Sequence, residues 1–184
     1  MKKRFLFLTA LFLSYHGAHA NVVLEIDISD PAAVVFRATG ESAAFTGNDT
    51  FFFFGLDLKN FFKAPVEASV VDAVISNPSL TTGAGHSDIF FDRYTIGWAS
   101  RDINFFVNGE TTFMPFSLSA PAFLGVNVLD LSAFAAWLPD VGAENEIHGE
   151  SYIGKFKVIP EPALSAVGAW GLGAWYLMSR RRRC

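Results

Sequence analysis

Leu24-Glu25-Ile26-Asp27-Ile28-Ser29 decides the fold. Three aliphatic side chains alternate with three polar ones, the period-two pattern of a strand with one face turned inward. Residues 151–158 repeat the pattern near the other end, with Tyr152, Gly154, Phe156 and Val158 set against Ile153, Lys155 and Lys157. They read as the last strand of the domain. Residues 103–107 and 110–114 flank Asn108-Gly109, a dipeptide that accepts positive φ at both positions and therefore predicts a two-residue hairpin. Residues 66–75 and 89–99 also read as strands, and Asn77-Pro78 and 82–85 as turns or loops. Only 130–138, with Leu131, Phe134, Ala135 and Leu138, has helical spacing, and it is short. Short strands separated by turn chemistry predict an all-β domain, an antiparallel β-sandwich of jelly-roll-like type.

Seventeen of the twenty phenylalanines fall within residues 21–162. Several are adjacent: 51–54, Phe61-Phe62, Phe90-Phe91 and Phe105-Phe106. Neighbours on a strand point to opposite faces, so each pair is expected to put one ring in the core and one on the other side. Either that second face is covered, or it offers rings to sugars or to another subunit. Asp49, Asp57 and Lys59 flank the 51–54 run and read as charged gatekeepers against aggregation.

The two ends of the chain carry a different kind of information. Lys2, Lys3 and Arg4 precede the short apolar stretch 5–13, and Ala18-His19-Ala20 supplies a small-x-small site. This is the layout of a signal peptide, residues 1–20, cut between Ala20 and Asn21 by signal peptidase. At the far end Pro160-Glu161-Pro162 leads into residues 163–179, which carry no charge, and then into Arg180, Arg181, Arg182, Arg183 and Cys184. As a helix, 163–179 would span about 25 Å, a little short of the ~30 Å hydrocarbon core. Snorkelling arginines extend that reach. Trp175 and Tyr176 stand near the basic end, where an interfacial belt is expected, and the arginines assign that end to the cytosol. Pro160 and Pro162 keep the segment around Glu161 extended and non-helical. Ser165, Ala169 and Gly173 form a small-residue face suited to close approach by another helix. Both ends predict one topology: the body outside, tethered to the inner membrane through one transmembrane helix.

Taken together, the Pro160-Glu161-Pro162 motif, the single apolar span and the terminal arginine cluster resemble the PEP-CTERM sorting signal of Gram-negative bacteria. The resemblance covers residues 159–184 and leaves the body, residues 21–158, unassigned. It implies recognition by exosortase, a membrane-embedded cysteine transpeptidase or protease. It also implies release or attachment at the cell surface, in organisms that make extracellular polysaccharide. Cys184 departs from the family pattern.

The body holds seven of the fourteen basic residues and all eighteen acidic ones, a net charge of about −11 over residues 21–162. Such a surface disfavours nucleic acid and anionic lipid as partners. The body has no cysteine, which excludes disulfides, thiolate metal sites and a cysteine nucleophile. Gly149-Glu150-Ser151 begins like a nucleophile elbow, but Ile153 stands where the second glycine belongs. His148-Gly149-Glu150 lacks the cysteine pair that a deaminase needs. His86, Asp88 and Asp92 form a glycine-flanked set of weak metal candidates, with calcium as the ion that oxygen ligands would take. No other cofactor is expected. The residues thus predict an exported, non-catalytic structural or matrix-associated protein. A carbohydrate- or calcium-binding module is the alternative, and a glycan-active enzyme with paired carboxylates the more distant one.

Overall fold

The computed structural model describes residues 21–50, 55–67, 71–85, 89–107 and 113–160. They form thirteen strands and one 3-10 helix. The strands are β1 (Val22–Asp27), β2 (Val34–Ala38), β3 (Gly47–Thr50), β4 (Leu56–Leu58), β5 (Val71–Val74), β6 (Thr81–Thr82) and β7 (Phe91–Ile96). They continue with β8 (Ile103–Val107), β9 (Phe113–Phe116), β10 (Phe123–Leu124), β11 (Val126–Leu129), β12 (Glu144–His148) and β13 (Tyr152–Ile159). The 3-10 helix, Ser132–Trp137, takes the place of the helix expected over 130–138. The chain is all-β.

Nine strands make one open, curled sheet in the order β11-β2-β1-β13-β12-β4-β8-β7-β5. The alternation that opened the sequence is realised in β1, where Leu24 and Ile26 are fully buried and Glu25 is half-exposed. Across the sheet the same inner face is continued by Phe36, Phe156, Ile147, Leu58, Ile103 and Phe105. Two small sheets, β3-β9 and β6-β10, contribute Met114, Phe116 and Phe123 to the same core. Phe116 and Phe91 both meet the Phe123 ring, at centroid distances of 5.8 and 6.1 Å.

Four expectations need correction. The hairpin about Asn108-Gly109 does not pair its own arms: β8 is flanked by β4 and β7, and β9 pairs with β3 in a separate sheet. Both edges of β8 are already occupied, so turn propensity loses to long-range pairing; residues 108–112 themselves lie outside the described residues. The large sheet is not wholly antiparallel, because β1 and β13 run parallel at its centre. In β13 the unpaired Ile153 shifts the register, His148 facing Tyr152 while Ile147 faces Gly154. That bulge puts Tyr152 on the face opposite Gly154, Phe156 and Val158, which a strict period of two had grouped together. Finally, Phe61 and Phe62 are both fully buried, because their segment is a turn and not a strand. Phe90-Phe91 and Phe105-Phe106 do follow the strand rule, with one ring buried and its neighbour half-buried. No described phenylalanine side chain is fully solvent-exposed; residues 51–54 lie outside the described residues.

What curls the sheet is a polar clasp between its two distant ends. Asn127 of β11 is completely buried. Its Oδ1 accepts the N–H groups of Ser79 and Leu80 at 3.0 and 3.1 Å, and its Nδ2 donates to the Phe91 carbonyl at 2.7 Å. Phe91 begins β7, next to the opposite edge of the sheet from β11. The Phe91 N–H in turn donates to the Leu80 carbonyl at 2.9 Å. Gly125, just before β11, has φ +85°, and a Cβ there would stand 2.0 Å from the Ser79 carbonyl oxygen. Only glycine lets the 79–80 segment seat against β11.

Candidate functional site

Facing away from the core, six cross-strand neighbours form one polar row. They are Tyr152, His148, Asp57, Asn104, Thr95 and Asp72, on β13, β12, β4, β8, β7 and β5. At the usual strand spacing the row is about 24 Å long. Strand alternation places it there: Ile147, Leu58, Ile103 and Tyr94, its sequence neighbours, go to the core. The bulge at Ile153 adds Tyr152 to the row.

The chemistry concentrates around His148. Its Nε2 lies 2.9 Å from Glu146 Oε2, and its ring meets Tyr152 edge-on at 5.3 Å. Across β4, Lys59 bonds the Asp57 carboxylate and reaches Asp102 at 3.6 Å. Asp102 also accepts the Asn60 N–H at 2.6 Å. Burial pushes the Asp57 carboxyl above its ordinary value, with the negative Asp102 adding to the rise and the Lys59 hydrogen bond opposing it. The Lys59 ammonium is held above its ordinary value, chiefly by its hydrogen bond to Asp57. Burial, then the Glu146 charge, raises the Tyr152 phenol. Asp57 Oδ1 and Tyr152 Oη are buried and make no hydrogen bond among the described residues. They flank His148 beneath the surface of the row. At the far end Arg93 lies 3.2 Å from Asp72 and stacks over the Phe106 ring at 5.8 Å. Glu146 and Asp72 are more than half exposed, at 59 and 55%. The row is therefore a solvent-facing surface of donors and acceptors, with a cation over an aromatic ring at one end.

A second, shallower feature lies beside β1. Asn21, Val22, Glu25, Thr39, Glu41 and Lys157 line a depression of about 430 Å³. Its rim mixes both signs of charge, and Thr39 Oγ1 is committed to the Val22 carbonyl at 2.8 Å.

The residues singled out by sequence are distributed unevenly over this framework. Asn21 is the first described residue, and its carbonyl accepts the Lys155 N–H at 2.9 Å. Pro160 is exposed and follows β13 directly. Ala18, Ala20, Glu161, Pro162, the span 163–179 and the arginines 180–183 lie outside the described residues. Among the described residues no helix is long and apolar enough to cross a membrane. Of the metal candidates, His86 and Asp88 also lie outside. Asp92 sits at a register shift in β7, its carbonyl accepting the Ile75 N–H at 2.7 Å. Among the described residues no three His, Cys, Asp or Glu side chains stand close enough to hold a metal ion.

Asp49 is not the solvated gatekeeper its sequence position suggests. It is 1% exposed, and its two carboxylate oxygens accept the N–H groups of Glu150 and Ser151 at 2.8 and 3.0 Å. The Gly149-Glu150-Ser151 segment is thus a hairpin turn between β12 and β13, held by a carboxylate a hundred residues earlier in the chain. Asp57 and Lys59 pair with each other, so they too are part of the folded surface. Neither Asp49 nor Asn127 carries a local signal, because what each bonds is distant in sequence. Comparison with known proteins returned no match: no family model, no curated protein and no solved structure corresponds to this chain.

Proposed function

We propose that the chain is an exported protein of a Gram-negative cell, sorted by its C-terminal PEP-CTERM signal through exosortase. Its β domain serves a non-catalytic, structural role at the cell surface or in extracellular polysaccharide. The observation that carries the reading is the junction at Pro160. β13 lies between β1 and β12 in the middle of the sheet, and its last residue, Ile159, is followed at once by the Pro160-Glu161-Pro162 motif. A processing enzyme would meet an extended, proline-held segment beside a domain whose terminal strand is anchored on both edges. The other end fits as well: a chain cut between Ala20 and Asn21 keeps every residue of β1. The finer fold reading, a jelly-roll-like sandwich, draws support from the second layer that β3-β9 and β6-β10 lay over the core.

In this reading the inner membrane holds the chain by 163–179 until the tail is processed. The test is the double variant Pro160→Ala, Pro162→Ala in the native host, followed by intact mass. The expected result is retention of the full tail. Maturation identical to the unmodified protein removes the exosortase assignment.

A carbohydrate-binding role is the second reading, favoured by the polar row of donors and acceptors across five neighbouring strand contacts. Hydroxyl-rich polymers suit an open face with donors and acceptors at strand spacing. Glycan arrays with the Tyr152→Phe and Asp57→Asn variants separate this reading from a purely structural one.

A further inference from the structure

We propose that the end of the domain from which the chain departs at Pro160 docks on the lipid bilayer, with Trp98 as its interfacial anchor. The inference rests on the tether proposed above for residues 163–179, and goes beyond it by assigning a membrane-facing surface to the folded body.

Strand directions bring the relevant segments to one end. β13 and β1 run towards it, β12 starts from it, and the β7–β8 turn containing Trp98 closes there. A chain of backbone hydrogen bonds ties these segments together. Val66 and Phe62 bond the Trp98 turn through Ser100 and Arg101, at 2.8 Å each. Lys63 bonds the Trp137 carbonyl at 3.0 Å, and Gly142 bonds the Val158 carbonyl at 2.9 Å. The Trp98 turn, the 3-10 helix, the 141–142 turn and the exit strand therefore gather at the same end of the domain.

Apolar side chains are exposed at this end, among charged neighbours such as Arg101, Asp140 and Glu144. Trp98 is 71% exposed and Val141 58%. The 3-10 helix turns Ala133, Ala135 and Ala136 to solvent and leaves Trp137 half-buried. An exposed tryptophan is costly in water and favoured at the headgroup layer, where the ring is half solvated. The tether supplies the occupant. From Pro160 to residue 163 the chain reaches at most about 10 Å, comparable with the thickness of one headgroup region. A helix entering the bilayer at 163 thus leaves this end of the domain no room to stand clear of the interface.

The test uses the full chain in phosphatidylethanolamine–phosphatidylglycerol vesicles with brominated acyl chains. Trp137, Trp170 and Trp175 are replaced by Phe, so that Trp98 alone reports. A fluorophore on Cys184, the chain's only thiol, reports tail insertion independently. The expected result is a blue-shifted Trp98 emission, largely quenched by bromine and protected from aqueous iodide, with the Cys184 probe enclosed. If the Cys184 probe is enclosed but Trp98 stays red and iodide-accessible, docking is overturned while the tether stands. If the chain does not hold to vesicles at all, the tether reading falls and docking with it. Shielding of Trp98 in detergent that grows with protein concentration would assign the surface to a second copy and overturn lipid docking. Should the triple-Phe chain fail to fold, the difference between the native chain and Trp98→Phe gives the same readout.

Discussion

Replacing Asn127 by leucine should unclasp the curled sheet. The side chain is fully buried and makes three hydrogen bonds, two accepted from the Ser79 and Leu80 N–H groups and one donated to the Phe91 carbonyl. Leucine keeps the branched shape with bulkier methyl groups and supplies none of them. Stranding a buried backbone donor costs about 1–3 kcal/mol, and the lost donation adds about 1 kcal/mol. Two stranded donors and one lost donation therefore cost about 2–6 kcal/mol, after allowing about 1 kcal/mol back for the extra apolar burial. A domain of this size has a stability of about 7–20 kcal/mol, so the loss is a large share of it. In thermal melts of the full chain in detergent the midpoint should drop by about 10–15 °C. The Leu80 amide should also lose its hydrogen-exchange protection ahead of the global transition. Asn127→Asp provides a control with a sign. It keeps the acceptor but sets a carboxylate against the Phe91 carbonyl, which raises the carboxyl pKa in the folded state. The folded state then binds the proton more tightly than the unfolded one. The variant is least destabilised below about pH 4 and loses stability as pH rises through the folded pKa. A leucine variant within about 1 kcal/mol of the parent would refute the clasp.

Asp49→Ala should destabilise by about 2–4 kcal/mol, since both carboxylate oxygens hold backbone N–H groups of the 149–151 turn. Urea denaturation measures it, and Asp49→Asn, which keeps one acceptor, should recover part of the loss. Alkaline pH should unfold the domain from about pH 10 upward. Lys59, Tyr94 and Tyr152 are all held above their ordinary values in the folded state: Lys59 mainly by its Asp57 hydrogen bond, the two tyrosines mainly by burial. The folded state thus keeps these protons more tightly than the unfolded chain, and the stability present below about pH 10 is lost as pH rises through the folded values. A stability profile flat to pH 11.5 would contradict this; with Tyr94→Phe the decline should be shallower.

Several strands were legible because their chemistry is local. Leu24 and Ile26 against Glu25 and Asp27, or Phe156 and Val158 against Lys155 and Lys157, state a period of two that any half-buried strand must show. The partners of those strands were not legible. Asn108-Gly109 reads as the strongest hairpin signal in the chain, yet β8 and β9 belong to different sheets. The candidate surface was equally hidden. Tyr152, His148, Asp57 and Asp72 come from four strands, and a one-residue bulge at Ile153 decides whether Tyr152 joins them.

Amino-acid order alone determined the strand-rich character and the acidic charge of residues 21–162, and it alone carries the proposal of two terminal signals, because hydrophobic periodicity, net charge and contiguous apolar runs are properties of neighbouring residues. Tertiary structure alone decided the parallel contact of β1 with β13, the clasp at Asn127, the burial of Asp49 and the polar row about His148. Each of these joins groups tens of residues apart. Their free energy exists only when the chain has closed the loops between them, and no local pattern encodes that closure.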